Sequence, residues 1–403
     1  MQSNFERSID TDEAIERALS WASINGLDVF FRSTGSKIVT TECSLRKNGE
    51  REYIGRGKGL GRQTSASAIF EAVEHYYYDT ESLNIVSSRF SPNAPSWRGA
   101  FEGSSPNFSL FNKGQILPLS CLEFIAVAEE WRIEFPAILT HPKFLAPNLA
   151  EGLFIEESGI YKYSSNSGTA AGISNNDALL HSLLELIERD ALGLALVEST
   201  VRPSPKPMRR YLPASFSLDL RDIFAAIERE TGGELTIWDI TSDLGVPSAL
   251  ARVRVGGRDF FGSGASLSQG YAIRRAALES VQVFQIQCAF GPWLQLDRPL
   301  DPARMSLYQR CNLQGGIFMF RGGEICVDYC DDSFSVSTSI DDQIIYLERA
   351  LTRMGIEVFY RQIYSSEVTV VQAVAPKLER FHLVTHGLPV APGGRAKMVE
   401  RSI

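Results

Sequence analysis

Apolar positions recur at helical spacing in four stretches of the chain. Residues 10–25 begin with Asp10-Thr11-Asp12 and place Ile15, Ala18, Leu19 and Ala22 on one face, which predicts a helix. TSASAIFEAVEHYYY (64–78), NNDALLHSLLELIERDAL (175–192) and YAIRRAALESVQVF (271–284) lack Pro and Gly and consist mostly of good helix formers. Ser174 or Asn176 is placed to cap the second of these. LDVFF (27–31) and KIVTTECSL (37–45) read as strands, with a turn at residues 48–50. From there to about residue 160 the pattern mixes strand and loop, as in VSSRFSPNAPSW (86–97) and ILPLSCLEFIAVA (116–128). Later segments alternate strand-like and helix-like runs, so the fold class is α/β or α+β. VRPSPKPMRRYLPA (201–214), with four prolines, reads as a surface loop, and the Gly/Pro-rich end (382–403) reads as a non-helical tail.

The three long helical stretches align as a weak internal repeat. Glu71, Glu185 and Glu279 superpose, followed three residues later by Glu74, Glu188 and Gln282. Four residues earlier stand Ser67, His181 and Arg275. Positions i, i+4 and i+7 share one narrow helix face. Each helix therefore carries one polar stripe among apolar neighbours such as Ile69, Phe70 and Val73, or Leu183, Leu184 and Ile187. A Gly- or Ser-rich segment precedes each copy: GRGKGLG, SSNSGTAAG and GSGAS. These read as turns able to present N–H groups to phosphate.

A lone Glu-x-x-Glu is usually a solvated face, but several unpaired carboxylates on buried helices cost several kcal/mol each. A cation must compensate. Mg²⁺ suits the oxygen donors and bridges to phosphate, while Arg189, Arg274 and Arg275 suit a polyphosphate. The Walker, dinucleotide, kinase, serine-hydrolase and zincin patterns are all missing from the sequence.

Composition narrows the setting. The chain has 403 residues, 44% hydrophobic and 22% charged, with a net charge of -8, which argues against a general nucleic-acid surface. No signal peptide or membrane-length apolar run is present, so a soluble cytoplasmic protein is expected. Cysteines at 43, 121, 288, 311, 326 and 330 lack zinc-site spacing and read as free thiols.

These motifs resemble the YcaO family. SSNSGTAAGISNNDALLHSLLELIERDAL (164–192) is similar to its Gly-rich segment and ERD-ended helix. GKGLGRQTSASAIFEAVEHYY (57–77) is similar to its S-x-x-x-E-x-x-E element, and GSGASLSQGYAIRRAALESVQ (262–282) to its R-A-x-x-E-x-x-Q element. WDITSDLGVPSALARV (238–253) and APKLERF (375–381) fit its later strands. The resemblance implies one domain over residues 1–403, with three pseudo-repeated units around a central ATP/Mg²⁺ site. Carried over, Glu71, Glu74, Glu185 and Glu188 hold Mg²⁺ and phosphates, and Arg189, Arg275 and Glu279 contact the nucleotide. Asp177 stands where the family often has a Glu facing the nucleotide, and Arg7 fills an N-terminal basic position. No catalytic base is assigned.

Family members activate a backbone amide of a ribosomally made peptide. Cyclodehydration of Cys, Ser or Thr to azolines is the first expectation here. Thioamidation with a TfuA-type partner is the second, and a non-catalytic peptide-binding scaffold is the third. Ile173, Ser167 and Lys377 depart from common family residues, and the tail lacks the terminal P-x-P-x-P of many azoline-forming members. A homodimer is expected, together with a separate leader-binding partner, either ubiquitin-activating-enzyme-like or TfuA-like.

Overall fold

Three sheets, each covered by one long helix, organise the chain. The computed structural model describes residues 6–47, 51–91, 116–128, 131–290, 322–330 and 339–398. Helix α1 (Thr11–Ile24) starts at Asp10, whose carboxylate accepts the Asp12 and Glu13 N–H groups. Strands β1 (Asp28–Thr34), β2 (Val39–Arg46) and β3 (Glu52–Gly59) form an antiparallel meander covered by α2 (Gln63–Thr80). Strands β4 (Cys121–Ala126) and β5 (Arg132–Pro136), helix α3 (Leu149–Ser158) and strand β6 (Thr169–Gly172) lead into α4 (Asn175–Leu196). Next come β7 (Met208–Tyr211), α5 (Leu218–Thr231), β8 (Glu234–Asp239), β9 (Ser248–Val255), β10 (Arg258–Ala265) and α6 (Gln269–Phe290). The last elements are β11 (Glu324–Val327), α7 (Ile340–Arg353), β12 (Phe359–Ser365), β13 (Thr369–Val374) and α8 (Gly394–Met398).

The second sheet has the order β10-β9-β8-β7-β11 and the third β5-β4-β12-β13-β6. All pairings are antiparallel except β7 with β11. The class is thus mixed α and β with the repeat units built as strand plus helix. Helix α2 buries Ala68, Ile69, Ala72 and Val73 against Cys43 and Leu45 of β2 and Trp21 of α1. Helix α4 buries Leu180, Leu183, Leu184 and Ile187 against β13 and against Leu347 and Leu351 of α7. Helix α6 buries Ala276, Ala277 and Val281 against Ala251 and Val253 of β9. Each fully buried Leu, Ile or Val contributes about 1.5–3 kcal/mol, so these seams fix the helices on their sheets.

The glycines of the repeat do more than turn the chain. Gly55 and Gly57 lie inside β3, and Gly262 and Gly264 lie inside β10. A Cβ on Gly57 would overlap the Thr64 carbonyl oxygen, and one on Gly55 would overlap the Ala72 nitrogen. A Cβ on Gly264 would approach the Ala272 carbonyl oxygen to 2.6 Å, and one on Gly172 the Ala178 nitrogen to 2.6 Å. The glycines let each helix backbone lie directly on the strand before it. Gly57→Ala is therefore expected to destabilise the fold by about 3 kcal/mol, since the blocking atoms are backbone and cannot rotate away. A urea midpoint that stays at the wild-type value would remove this account.

Three expectations need correction. The 201–214 segment holds β7, because Met208 and Tyr211 are buried and Glu324–Val327 supplies its ladder partner. Residues 149–158 form α3, capped by Asn148. Its apolar residues are spread around the helix, with Leu149 and Leu153 exposed, which hides the period in the sequence. The tail is not structureless: Phe381–His386 form a 3-10 turn, Gly387 (φ 79°) ends it, and α8 follows. The turn at 48–50, residues 92–97, Cys311 and residues 399–403 lie outside the described residues. The other five cysteines are free thiols. Among the described residues no helix is long and apolar enough to cross a membrane.

The tail segment is tied at both ends. The Glu379 carboxylate accepts the backbone N–H groups of Arg380, Phe381, Gly393 and Ala396 at 2.9–3.3 Å. Asp190 of α4 accepts the Glu379 N–H at 2.8 Å and Arg395 Nε at 2.7 Å. Arg395 reaches on to Asp243 at 2.5 Å. The loop between Glu379 and Arg395 is thereby clamped onto the C-terminal half of α4.

Candidate functional site

A cavity of about 740 Å³ opens where α2, α4 and α6 meet. All nine residues singled out in the sequence line it: Arg7, Glu71, Glu74, Asp177, Glu185, Glu188, Arg189, Arg275 and Glu279. Ser67, His181 and Gln282 line it too, so the i, i+4, i+7 stripe of every helix faces the same space. From Asp177 to Arg189 the α4 wall spans roughly 18 Å, at 1.5 Å per residue. At one end of this wall a strap of residues 6–9 crosses the helices. Arg7 donates to Ser67 of α2 at 3.3 Å, Ser8 donates to Asp177 of α4 at 2.9 and 2.5 Å, and Arg275 of α6 donates to Glu6 at 3.2 Å. At the other end lie tail residues His382, Leu383, His386 and Leu388.

Neutral donors hold the glutamates in place. Ala171 N–H donates to Glu74 Oε1 at 2.9 Å, Gly168 N–H to Glu185 Oε2 at 3.2 Å and Ser263 Oγ to Glu188 Oε1 at 2.6 Å. Each of these bonds occupies one carboxylate oxygen. Arg189 lies 3.7 Å from Glu185 and 3.6 Å from Glu188, and Lys58 pairs with Glu279. Glu185, Arg189, Arg275 and Glu279 keep 24–28% of their side-chain surface open, and all four line the cavity.

Electrostatics separates the carboxylates into two kinds. Burial pushes Glu74 well above the usual carboxylate range, and the charges of Glu71 and Glu185 push it further. Burial also raises Glu71 and Glu185, with Lys58 and His75 opposing at Glu71 and Arg189 opposing at Glu185. At Glu279 burial is outweighed by Lys58, Arg189 and Arg275, which hold it below the usual range. The Glu71–Glu74–Glu185 group is therefore short of positive charge, whereas Glu279 is already neutralised. A hard dication fits the first group and not the second. Among the described residues no three His, Cys, Asp or Glu side chains converge closely enough to hold an ion alone. That fits Mg²⁺, which binds through one or two carboxylates and completes its shell with water and phosphate oxygens.

The family model described as "YcaO cyclodehydratase, ATP- and Mg²⁺-binding" matches residues 56–379. The chain belongs to the YcaO family. Among solved structures, YcaO from Methanopyrus kandleri bound with AMPPCP and Mg²⁺ is 18% identical, with a TM-score of 0.64 over 96% of this chain and 95% of that one. The E. coli microcin synthetase McbBCD complex with pro-MccB17 bound is 15% identical, with a TM-score of 0.59 over 87% and 88%. At these identities the likeness speaks for the YcaO fold alone. An uncharacterised protein in the tfuA 3' region of Rhizobium leguminosarum bv. trifolii is 36% identical over 92 residues. That match spans 23% of this chain and about a fifth (21%) of the relative.

The sequence reading missed several residues of this YcaO site. Lys58 sits in GRGKGLG, where the glycines drew attention away from the cation that pairs with Glu279. Glu6, buried and bonded by Ser266 at 2.5 Å, holds Arg275 from behind the cavity. Four of the five histidines line the cavity: His75, His181, His382 and His386. Only His181 carried a signal in the sequence, through its place in the α4 stripe; the scatter of the other three gave none.

Two of these histidines make the fold acid-sensitive. Burial, with Arg275 and Arg7 nearby, lowers His181 to about 3. Burial, with Arg189, His386 and Arg380, lowers His382 well below 6.5. Both stay neutral in the folded chain while the unfolded chain takes up protons near pH 6.5. Stability is therefore expected to fall as pH drops below about 6.5. His181→Asn should flatten the slope of unfolding free energy against pH between about 6 and 4 by roughly one proton. An unchanged slope would remove His181 from this account.

Proposed function

We propose that this YcaO chain uses ATP and Mg²⁺ to activate backbone amides of a ribosomally made peptide. The observation that carries the reading is Glu74, a half-buried carboxylate set against Glu71 and Glu185 in a cavity shared with Arg189 and Arg275. Such a group invites a dication that itself brings phosphate. Glu71, Glu74, Glu185 and Glu188 hold Mg²⁺ and phosphates, one or two carboxylates to an ion, and Glu74, Glu185 and Glu188 each offer the oxygen that a protein donor leaves free. Mg²⁺, when bound, offsets the charge that develops on the transferring phosphoryl group. Arg189 faces the phosphates from α4. Arg275, Glu279, Asp177 and Arg7 surround the rest of the nucleotide, and the strap of residues 6–9 excludes water from that end. The tail end of the cavity is left to the peptide.

Cyclodehydration of Cys, Ser or Thr to an azoline is the first reading, in keeping with the family description. Thioamidation is the second, favoured by the relative from a tfuA 3' region. In either case a separate leader-binding protein, ubiquitin-activating-enzyme-like or TfuA-like, presents the peptide to this chain, which acts as a homodimer. The test co-expresses the chain with a candidate short peptide and a leader-binding partner, to be sought beside its gene, and weighs the peptide. Loss of one water per site supports the azoline reading, and exchange of oxygen for sulfur supports thioamidation. An unmodified peptide together with no Mg²⁺-dependent ATP turnover would leave only a binding scaffold.

A further inference from the structure

The proposed chemistry releases a proton that the site must accept, because the attacking thiol, hydroxyl or hydrogen sulfide carries one. Most cavity groups are unsuited to take it. The four metal-holding glutamates are committed, Glu279 is paired with Lys58, and Asp177 is bonded by Ser8 and Ser174. Arginine and lysine arrive already protonated.

Histidines remain, and position separates them. His75 lies beside Glu71, with Nδ1 2.5 Å from the Ile54 carbonyl oxygen. His181 stands at the strap end, facing Arg7 and Arg275, and is a very weak base. His382 is 3% exposed, and both of its ring nitrogens are enclosed by protein without a hydrogen-bond partner. The Glu379 carbonyl lies close enough to influence that ring but not in hydrogen-bonding geometry.

His386 differs from all three. It is exposed and lines the cavity at the end away from the strap. Nδ1 lies 3.3 Å from Thr385 Oγ1, and among the described residues none bonds Nε2. Gly387, in the left-handed conformation, ends the turn directly after it, and the Glu379 and Asp190–Arg395 ties fix the loop that carries it. The charged group facing it from α4 is Arg189, and its neighbour on the same turn is neutral His382. Although the residue as a whole is exposed, enclosure of its ring by the cavity wall, with Arg189 beside it, keeps it below the ordinary histidine range, so at pH 7 it is the free base.

We propose that His386 accepts the proton of the nucleophile that attacks the peptide carbonyl, a role that rests on the amide-activation reading. The S–H or O–H bond breaks and its proton passes to Nε2. The new bond to carbon moves the carbonyl electron pair onto oxygen, and that oxygen takes the γ-phosphoryl group of ATP, with ADP leaving. When phosphate is expelled, the imidazolium returns its proton to it, and a second proton, from the amide N–H as the C=N bond forms or from the remaining S–H as the C=S bond forms, is released to solvent. No oxidant or reductant is needed.

The test compares wild type with His386→Ala and His386→Gln on the same co-expressed peptide, purified with its partner. Turnover of both variants should fall about a hundred-fold or more. Binding of AMPPCP with Mg²⁺, measured by calorimetry, should not change, and added imidazole should restore part of the Ala variant's activity. Independently of turnover, diethylpyrocarbonate should label His386 in wild type, and bound peptide should protect it. Variants as active as wild type overturn the proposal while leaving amide activation intact. Loss of AMPPCP binding, or inactivity that imidazole does not rescue, also overturns it. If wild type modifies no peptide, the amide-activation reading fails and this role fails with it.

Discussion

Glu74→Gln is expected to lower Mg²⁺-dependent ATP turnover by about a thousand-fold while raising the melting temperature of the metal-free protein. The two effects have one cause. Glu74 is half-buried, its Oε1 is held by the Ala171 N–H, and the charges beside it are the carboxylates of Glu71 and Glu185. Without metal, this is like-charge crowding in a poorly solvated place, and an amide of the same shape relieves it. With metal and nucleotide, the same crowding is what attracts the dication, so the amide loses an anionic ligand where phosphoryl charge develops. Glutamine keeps the acceptor that Ala171 needs, so the helix should stay seated. Thermal melts with and without AMPPCP and Mg²⁺ check both halves. Wild type should gain stability from the pair of ligands, and the variant should gain little. A variant that melts lower than wild type in the absence of metal would show that the carboxylate is held by some cation the protein itself supplies.

The part of this site that could be read from sequence is the part written within single helices. Ser67, Glu71 and Glu74 share a face because of helix periodicity alone, and the same holds for His181, Glu185 and Glu188. Three such stripes flanked by apolar residues had to converge on one enclosed place, and they do. Local arithmetic could not say which end of the cavity was closed by what. The strap bond from Ser8 to Asp177 joins residues 169 apart, and the tie from Arg395 to Asp190 joins residues 205 apart. Strand β7 is equally non-local, since four residues among prolines become a strand because Glu234–Asp239 and Glu324–Val327 lie on either side of them. Glycine was legible as important but not in its role. Gly55 and Gly57 look like turn residues until α2 is seen lying on β3 with no room for a side chain. In the motif Glu188-Arg189-Asp190 the first two residues face the cavity, whereas Asp190 points to the tail.

That last contact sets up the second large effect. Arg395→Ala is expected to destabilise the fold by about 3–5 kcal/mol, the range for breaking a buried ion pair from one side. Asp190 is completely buried, and its Oδ2 has no hydrogen-bond partner even with the arginine present. Burial raises its pKa and Arg395 is the main group opposing that rise, so removing the arginine leaves a buried charge or forces a proton onto it. The penalty should therefore shrink in acid, where the carboxyl protonates readily, and be largest near neutral pH. The damage should also be local. Glu379 and Asp190 hold the loop that lines the peptide end of the cavity, while the strap and the α2 and α6 stripes lie on other elements and Glu185 and Glu188 have their own donors in Gly168 and Ser263. Urea unfolding measures the stability loss, and limited proteolysis should show new cleavage between residues 381 and 396. AMPPCP binding should persist where peptide modification is lost. Asp190→Asn combined with Arg395→Met removes both charges and should recover most of the stability without restoring modification. Equal destabilisation by the double and single variants would mean that shape, rather than the charge left on Asp190, holds the tail in place.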